Sequence, residues 1–229
     1  ACAGHVGIVK PQVSFFERYG SAGFAALEEV MAAARAADLL VIADAKRGDI
    51  GTTMDAYARA WLTPGSPLEA DALTVSPYLG VGSLTDTFAF ALEHGKGVFV
   101  LAATSNPEGA ALQRAVPKGA ASIARAVADE VSAWNLATTG EGLGNVGLVV
   151  GATIDRYASG LPEALTPSAP LLAPGFGAEG ARLNQRATLF GADSPYVTAS
   201  ESRGVLGAGP DGITRAIGEK KKELGVSGG

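Results

Sequence analysis

The chain has 229 residues, of which 47% are hydrophobic and 18% are charged, and its net charge at pH 7 is −5. The length suits one large α/β domain, and the composition excludes a disordered or coiled-coil chain. The negative charge argues against nucleic acid as the main partner, and no apolar run approaches the ~18 residues of a membrane span. A single cysteine, Cys2, excludes an internal disulfide. We therefore expect a cytoplasmic protein that binds neither nucleic acid nor membrane.

Seven short, mostly apolar segments predict β-strands, and amphipathic segments between them predict helices. Near-continuous apolar strands are typical of a parallel sheet that is covered on both faces. The clearest helical patterns run over residues 15–38 and 52–62, the second beginning on a threonine that could cap it. The predicted strands are 5–10, 39–46, 72–77, 97–105, 146–153, 170–176 and 196–202.

The alternation of strands and helices favours a (β/α)8 barrel, with a doubly wound sheet as the alternative. We expect residues 1–229 to form a single barrel domain. A closed barrel of this kind needs eight strands and only seven are visible, so we also expect the chain to lack the barrel's first strand. Barrel active sites lie at the carboxyl ends of the strands, and polar residues follow most of those ends here.

The segment "DAKRGD", residues 44–49, follows directly on an apolar strand. Asp44 and Lys46 are two residues apart, so an extended backbone would point both side chains to one face. Lys10 ends the preceding predicted strand. A lone Asp-x-Lys pair would be two solvated charges in a loop, but a third charge on the neighbouring strand favours a functional cluster whose members keep one another ionised.

Asp49 lies beyond this strand, and its spacing alone fits a cap for the helix that starts near residue 52. The tripeptide "RGD" at 47–49 also occurs in cell-adhesion sequences. Because such a tripeptide is common by chance and nothing else in the chain indicates an extracellular protein, we interpret it as a coincidence.

The glycine-rich segment "APGFGAEGA", residues 173–181, follows the sixth predicted strand. Backbone N–H groups in such a loop can hold a phosphate, and barrels often bind phosphate in the loops after their last two strands. Arg203 follows the last strand and can bind phosphate through its planar guanidinium. A tight turn or a surface ion pair would explain either feature alone, but their order predicts a phosphate site. His5 and His94 form no metal-ligand pattern, so we predict no metal.

Together these segments resemble the orotidine 5′-phosphate decarboxylase family, in its longer-chain bacterial form. The segment "DAKRGDIGTT" carries the family signature D-x-K-x-x-D-I-x-x-T at every fixed position, and "VKPQVSFFERYGSAGF", "VLAATSNPEGA" and "APGFG" are also similar. The resemblance implies a homodimeric barrel without cofactor or metal. It further implies conversion of orotidine 5′-phosphate to UMP and CO2, the last step of de novo UMP synthesis.

The resemblance also implies roles for individual residues. In the family, the last carboxylate of a charged tetrad reaches into the partner subunit's site, with the signature threonine beside it. The family usually has glutamine where this chain has Glu179, so we assign Glu179 no binding role. The implied catalytic residues are Lys10, Asp44, Lys46 and Asp49. The implied substrate-binding residues are Thr53, Ser105, Gly175, Gly177 and Arg203.

In this interpretation Lys46 stabilises a carbanion at C6 of the pyrimidine and then protonates it. A Mg²⁺-dependent phosphosugar decarboxylase of the keto-gulonate phosphate type, a Schiff-base aldolase and a non-catalytic phosphate-ligand barrel are the alternatives. The "IGTT" continuation and the "TSNP" segment argue against the first. Carboxylates flanking Lys46 argue against the second, because a protonated lysine is not a nucleophile.

Overall fold

The computed structural model describes residues 1–118, 121–162 and 164–225. Its residues group into two compact units, an N-terminal unit of Cys2–Val100 and a C-terminal unit from Leu101 onward. The strands in the described residues are β1 (Ile8–Val9), β2 (Leu40–Arg47), β3 (Ala72–Val75), β4 (Gly97–Ala103), β5 (Val146–Val150), β6 (Leu171–Ala173) and β7 (Val197–Ala199).

Helices separate most of these strands, so the predicted α/β class with seven strands is confirmed. Closure into an eight-stranded barrel, the single domain and the missing first strand stay predictions. The α-helices in the described residues are α1 (Ser14–Glu17), α2 (Gly20–Ala36), α3 (Gly51–Leu62), α4 (Thr85–Glu93), α5 (Ala110–Gln113), α6 (Ile123–Thr139), α7 (Arg186–Phe190), α8 (Arg203–Leu206) and α9 (Ile213–Leu224).

In the N-terminal unit, β1, β2, β3 and the start of β4 pair in parallel and in chain order. All four residues of β3 are buried, as expected for a strand covered on both faces. Lys10, Ser105 and Arg203 follow the ends of β1, β4 and β7, whereas Asp44 and Lys46 lie within β2, near its carboxyl end. The polar side chains of interest therefore lie at or just beyond the carboxyl ends of the strands.

Two helical predictions in this unit need correction. The pattern over 15–38 forms two helices, α1 and α2, because the chain turns at Gly20 with φ +60°, a left-handed conformation that glycine adopts easily. The pattern over 52–62 begins at Gly51, one residue earlier than predicted. The N-cap is Ile50 and no side chain caps this helix, so the predicted threonine cap is wrong.

In the C-terminal unit, β5, β6 and β7 pair in parallel, with Leu148 opposite Leu171 and Leu171 opposite Val197. Asn135 of α6 is fully buried and attaches this helix to β5. Its side chain donates to the carbonyl of Val146 at 2.8 Å and accepts from the N–H of the same residue at 3.3 Å. The helix thereby satisfies both backbone hydrogen-bonding groups of Val146 at the start of β5.

Candidate active site

The charged cluster of the N-terminal unit is built on a bulge in β2. The pairing of β2 with β3 advances from Ala43 opposite Leu73 to Arg47 opposite Val75, four residues along β2 but only two along β3. Lys46 lies in this bulge with φ +50°, a left-handed conformation that is uncommon for a residue other than glycine. Asp44 and Lys46 do meet, as predicted, but the bulge brings them together rather than simple alternation along an extended strand.

Asp44 binds two lysines, one with each carboxylate oxygen. The Nζ atom of Lys10 lies 2.5 Å from Oδ2, and the Nζ atom of Lys46 donates to Oδ1. The side chain of Asp44 is only 9% exposed, whereas that of Lys46 is 45% exposed and accessible to a ligand. Burial opposes ionisation of Asp44, but the ion pairs with Lys10 and then Lys46 outweigh it and lower the pKa of Asp44 below its ordinary value.

Thr74 of β3 supports this cluster, and the sequence interpretation missed it. Its side chain is buried, its hydroxyl oxygen lies 3.2 Å from Oδ1 of Asp44, and it accepts the backbone N–H of Lys46 at 2.9 Å. Thr74 therefore contacts both sides of the bulge. The only sequence signal was a hydroxyl residue inside the otherwise apolar strand "ALTV", which is also compatible with ordinary strand propensity.

Asp49 and Thr53 lie apart from the lysines of this cluster. The carboxylate of Asp49 accepts the N–H of Ile50 at 2.8 Å, and Thr53 is exposed on α3. Within the described part of the chain, no ion pair joins Asp49 to Lys10 or Lys46. The chain thus brings together three of the four predicted catalytic residues and leaves the fourth on a surface loop.

In the C-terminal unit, the predicted binding residues follow the ends of neighbouring strands. Ser105 is exposed just after β4, next to Gly151 at the end of β5, where an added Cβ would lie 3.6 Å from that of Ser105. Gly175 has φ +114°, a conformation that other residues rarely adopt, and a Cβ there would lie 3.3 Å from the backbone nitrogen of Ala152.

A cavity of about 590 Å³ opens between the glycine loop, α8 and α9 of this unit. Gly177 and Arg203 both line it, so the structure brings these two predicted phosphate residues together, and Lys220 of α9 adds another cation. Gly175 belongs to the same glycine-rich segment but does not line the cavity. Such a combination of backbone N–H groups and cations suits an anionic ligand.

Carboxylates meet both of these cations. The Oε1 atom of Glu179, in the glycine loop, lies 3.4 Å from Nη2 of Arg203. Glu201, whose side chain is 8% exposed, has Oε2 3.6 Å from Nζ of Lys220, and its Oε1 accepts the N–H of Gly204 at 3.1 Å. The sequence interpretation missed Glu201 and Lys220, because neither belongs to a motif.

Glu201 also explains why glycine occupies Gly177 and Gly204. A Cβ built on Gly177 would lie 2.0 Å from Oε2 of Glu201, and one built on Gly204 would lie 2.6 Å from Oε1. The buried carboxylate therefore packs directly against the two backbone segments that line the cavity. In the part of the chain that the structure describes, no three His, Cys, Asp or Glu side chains are grouped so as to hold a metal ion, and none of the helices is long and apolar enough to cross a membrane.

The protein has parallel strands joined by helices, which makes it an α/β protein. Charged side chains gathered near the carboxyl ends of the strands are typical of the active sites of α/β enzymes. The family model described as orotidine 5′-phosphate decarboxylase / HUMPS matches residues 1–211, and the chain belongs to this family.

Similar proteins agree with this assignment. The chain is 52% identical over 211 residues to orotidine 5′-phosphate decarboxylase of Salinispora arenicola, covering 92% of this chain and 74% of the relative. It is 48% identical over 213 residues to the enzyme of that name from Corynebacterium efficiens, with coverages of 92% and 74%.

Solved structures give the same result. A crystal structure from Streptomyces avermitilis, provisionally named orotidine 5′-phosphate decarboxylase, matches with a TM-score of 0.90 and 48% identity over 97% of this chain and 77% of that one. The structure of Leishmania donovani OMP decarboxylase matches with a TM-score of 0.76 and 35% identity, over 96% of this chain and 81% of that one.

Proposed function

We propose that this protein decarboxylates orotidine 5′-phosphate to UMP and CO2 in de novo pyrimidine synthesis, in the cytoplasm and without metal or cofactor. The observation that carries the proposal is the Lys10–Asp44–Lys46 cluster, in which a buried carboxylate bonds two lysines. Membership in the family and relatives of that name at about half identity support it.

The proposed chemistry is electrostatic. Loss of CO2 from C6 leaves a carbanion in the plane of the pyrimidine ring, where the ring cannot delocalise it. The ammonium of Lys46, held by Asp44, would stabilise this charge and then deliver a proton to C6. Lys10 would keep Asp44 oriented and contact the ribose, and Ser105 would hydrogen-bond the pyrimidine.

Asp44 and Asp49 would lie near the substrate carboxylate. A contact between two like charges at 4 Å costs about 4 kcal/mol at an effective dielectric of 20. This repulsion disappears as CO2 departs, so it would favour the transition state over the ground state. Gly175, Gly177 and Arg203 would bind the phosphate, and that binding energy would offset the repulsion.

We further propose a homodimer in which Asp49 and Thr53 complete the partner's site. Asp49 makes no ion pair with Lys10 or Lys46 in the described subunit, which fits a role outside it. Its loop passes close to the loop after β3, since a Cβ on Gly48 would lie 2.6 Å from the carbonyl oxygen of Ser76. Ile50 and Tyr78, on these two loops, are 61% and 77% exposed, as residues of an interface would be in a single chain.

The Mg²⁺-dependent phosphosugar decarboxylase, an alternative that the sequence left open, is the second candidate. Such an enzyme would need carboxylate oxygens free to bind the metal. Both oxygens of Asp44 are taken by lysines, and two ammonium groups would repel a divalent cation. The donor set around Asp44 therefore does not fit Mg²⁺.

One assay separates these candidates from a non-catalytic phosphate-binding protein. Purified protein is mixed with orotidine 5′-phosphate and excess EDTA, and the loss of substrate absorbance is followed. We expect full activity that EDTA does not reduce. Activity that EDTA abolishes and Mg²⁺ restores would favour a metal-dependent enzyme, and binding of UMP without turnover would favour the binding protein.

A further inference from the structure

The charges around the cavity of the C-terminal unit nearly cancel. Its lining contains three cations, Arg182, Arg203 and Lys220. Two of these contact carboxylates: Glu179 meets Arg203, while Glu201 and Glu223 meet Lys220. A phosphate dianion entering this cavity thus meets little net positive charge, and its affinity depends on which carboxylate can move away.

Glu201 and Glu223 are tied into the structure. Glu201 is buried and accepts the N–H of Gly204, and Glu223 accepts the N–H of Leu183 at 3.0 Å while bonding Lys220 at 3.1 Å. The hydrogen bond that Lys220 donates to Glu223, together with the nearby Glu201, raises the pKa of Lys220. These two carboxylates and Lys220 therefore form a fixed group that offers no net positive charge.

Glu179 differs from both. Its side chain is 44% exposed, that of Arg203 is 69% exposed, and the two groups are joined by one contact at 3.4 Å. An exposed pair of this kind contributes little to stability, so an incoming anion can displace it. It is the only one of the three carboxylate contacts, among the described residues, that is both exposed and unsupported by a backbone hydrogen bond.

The position of the contact on the guanidinium is also informative. Arginine binds phosphate best through two parallel N–H bonds. The guanidinium has two edges that can donate such a pair, and both edges use an N–H of Nη2. The carboxylate of Glu179 on Nη2 of Arg203 therefore occupies one edge and places negative charge beside the other.

We propose that Glu179 is an internal competitor for Arg203, which the phosphate of substrate or product must displace. Glu179 thereby weakens phosphate binding and sets the affinity for the nucleotide, without taking part in the chemistry. This inference rests on the phosphate site of the proposed function.

The test compares UMP and uridine binding to four proteins by calorimetry: the natural chain, Glu179→Gln, Arg203→Ala and the double variant. Glutamine keeps the size of the side chain and removes its charge. We expect Glu179→Gln to bind UMP about two- to fivefold more tightly, the range that an exposed ion pair allows. Uridine binding should be unchanged, and the gain should disappear in the Arg203→Ala background.

Glu141→Gln is the matched control, because it changes the net charge equally at an exposed site before β5, at the opposite end of the strands. It should leave UMP binding unchanged.

Three results would overturn the inference. Unchanged or weaker UMP binding by Glu179→Gln would mean that Glu179 is inert or positions Arg203. Tightening that persists without Arg203 would mean that Glu179 repels phosphate directly. If Arg203→Ala binds UMP as well as the natural chain does, the phosphate site itself is wrong and the inference falls with it. The decarboxylation assay with EDTA tests the proposed activity separately.

Discussion

The charged cluster of the N-terminal unit and the cavity of the C-terminal unit hold their charges in opposite ways. The side chain of Asp44 is 9% exposed, and each of its carboxylate oxygens bonds a lysine. Thr74 of β3 accepts the backbone N–H of Lys46. The side chain of Arg203 is 69% exposed, and its Nη2 atom lies 3.4 Å from the carboxylate of Glu179. A buried group with several partners has one geometry, whereas an exposed pair exchanges partners at little cost. The first arrangement suits preorganised catalysis and the second suits reversible binding.

The strongest test of this contrast is Lys46→Ala. We expect kcat to fall by at least about 10³-fold, because the proposed charge stabiliser and proton donor is lost. Lys96→Ala is the control, since Lys96 is also ion-paired, 2.7 Å from Glu69, but lies where β4 begins. It should lower the free energy of unfolding and leave kcat nearly unchanged. Similar losses of kcat in both variants would mean that Lys46 is structural.

The second test asks whether the cluster is complete within one subunit. Lys46→Ala and Asp49→Ala homodimers should each be nearly inactive. After mixing and subunit exchange, a heterodimer would carry both lesions in one site and none in the other, so about a quarter of the natural activity should return. If mass spectrometry shows exchange while the mixture stays inactive, Asp49 acts within its own subunit.

The third test concerns the cavity and should change KM rather than kcat. Arg203→Ala removes the proposed bidentate phosphate contact, so KM for orotidine 5′-phosphate should rise by about 10- to 100-fold. Turnover of the nucleoside orotidine should hardly change. Arg125→Ala, which removes a partly exposed arginine paired with Asp129 on α6, is the control. An equal loss for nucleotide and nucleoside would assign Arg203 a structural role.

A smaller effect is expected from Thr74→Val, which keeps the shape of the side chain and removes both of its hydrogen bonds to the bulge. We expect kcat to fall about tenfold with KM little changed, because Asp44 and Lys46 would be less well oriented. Thr74→Ser, which retains the hydroxyl, should recover most of the activity. A serine variant as slow as the valine variant would show that packing, not hydrogen bonding, matters at this position.

The smallest effect is the pH dependence of stability. The pKa of Asp44 is lower in the folded protein than its ordinary value of 3.8, so its ion pairs stabilise the fold above that value and lose this contribution as the pH falls through the folded pKa. The free energy of unfolding of the natural chain should exceed that of Asp44→Asn by about 2 kcal/mol at pH 7, and the gap should narrow below pH 4. Urea titrations between pH 7 and 3 would measure it, and a gap that widens on acidification would contradict the lowered pKa.

Local sequence alone was sufficient for the strand and helix order, since buried parallel strands need continuous apolar runs that are visible in one chain. The charge cluster was also predictable, because Asp44 and Lys46 are close in sequence and Lys10 ends the preceding strand. The signature around them indicated the family. The glycine loop and Arg203 predicted an anion site because both follow late strands.

Tertiary structure decided what depends on pairing between distant segments. The bulge that places Lys46 at φ +50° belongs to the pairing of β2 with β3, and Thr74, some 30 residues away, supports it. Glu179 contacts Arg203, and the carboxylate of Glu201 packs against Gly177 and Gly204. No local sequence pattern predicts either contact. Hydrophobic periodicity specifies which residues are buried, but the partners of a buried charge follow only from the assembled chain.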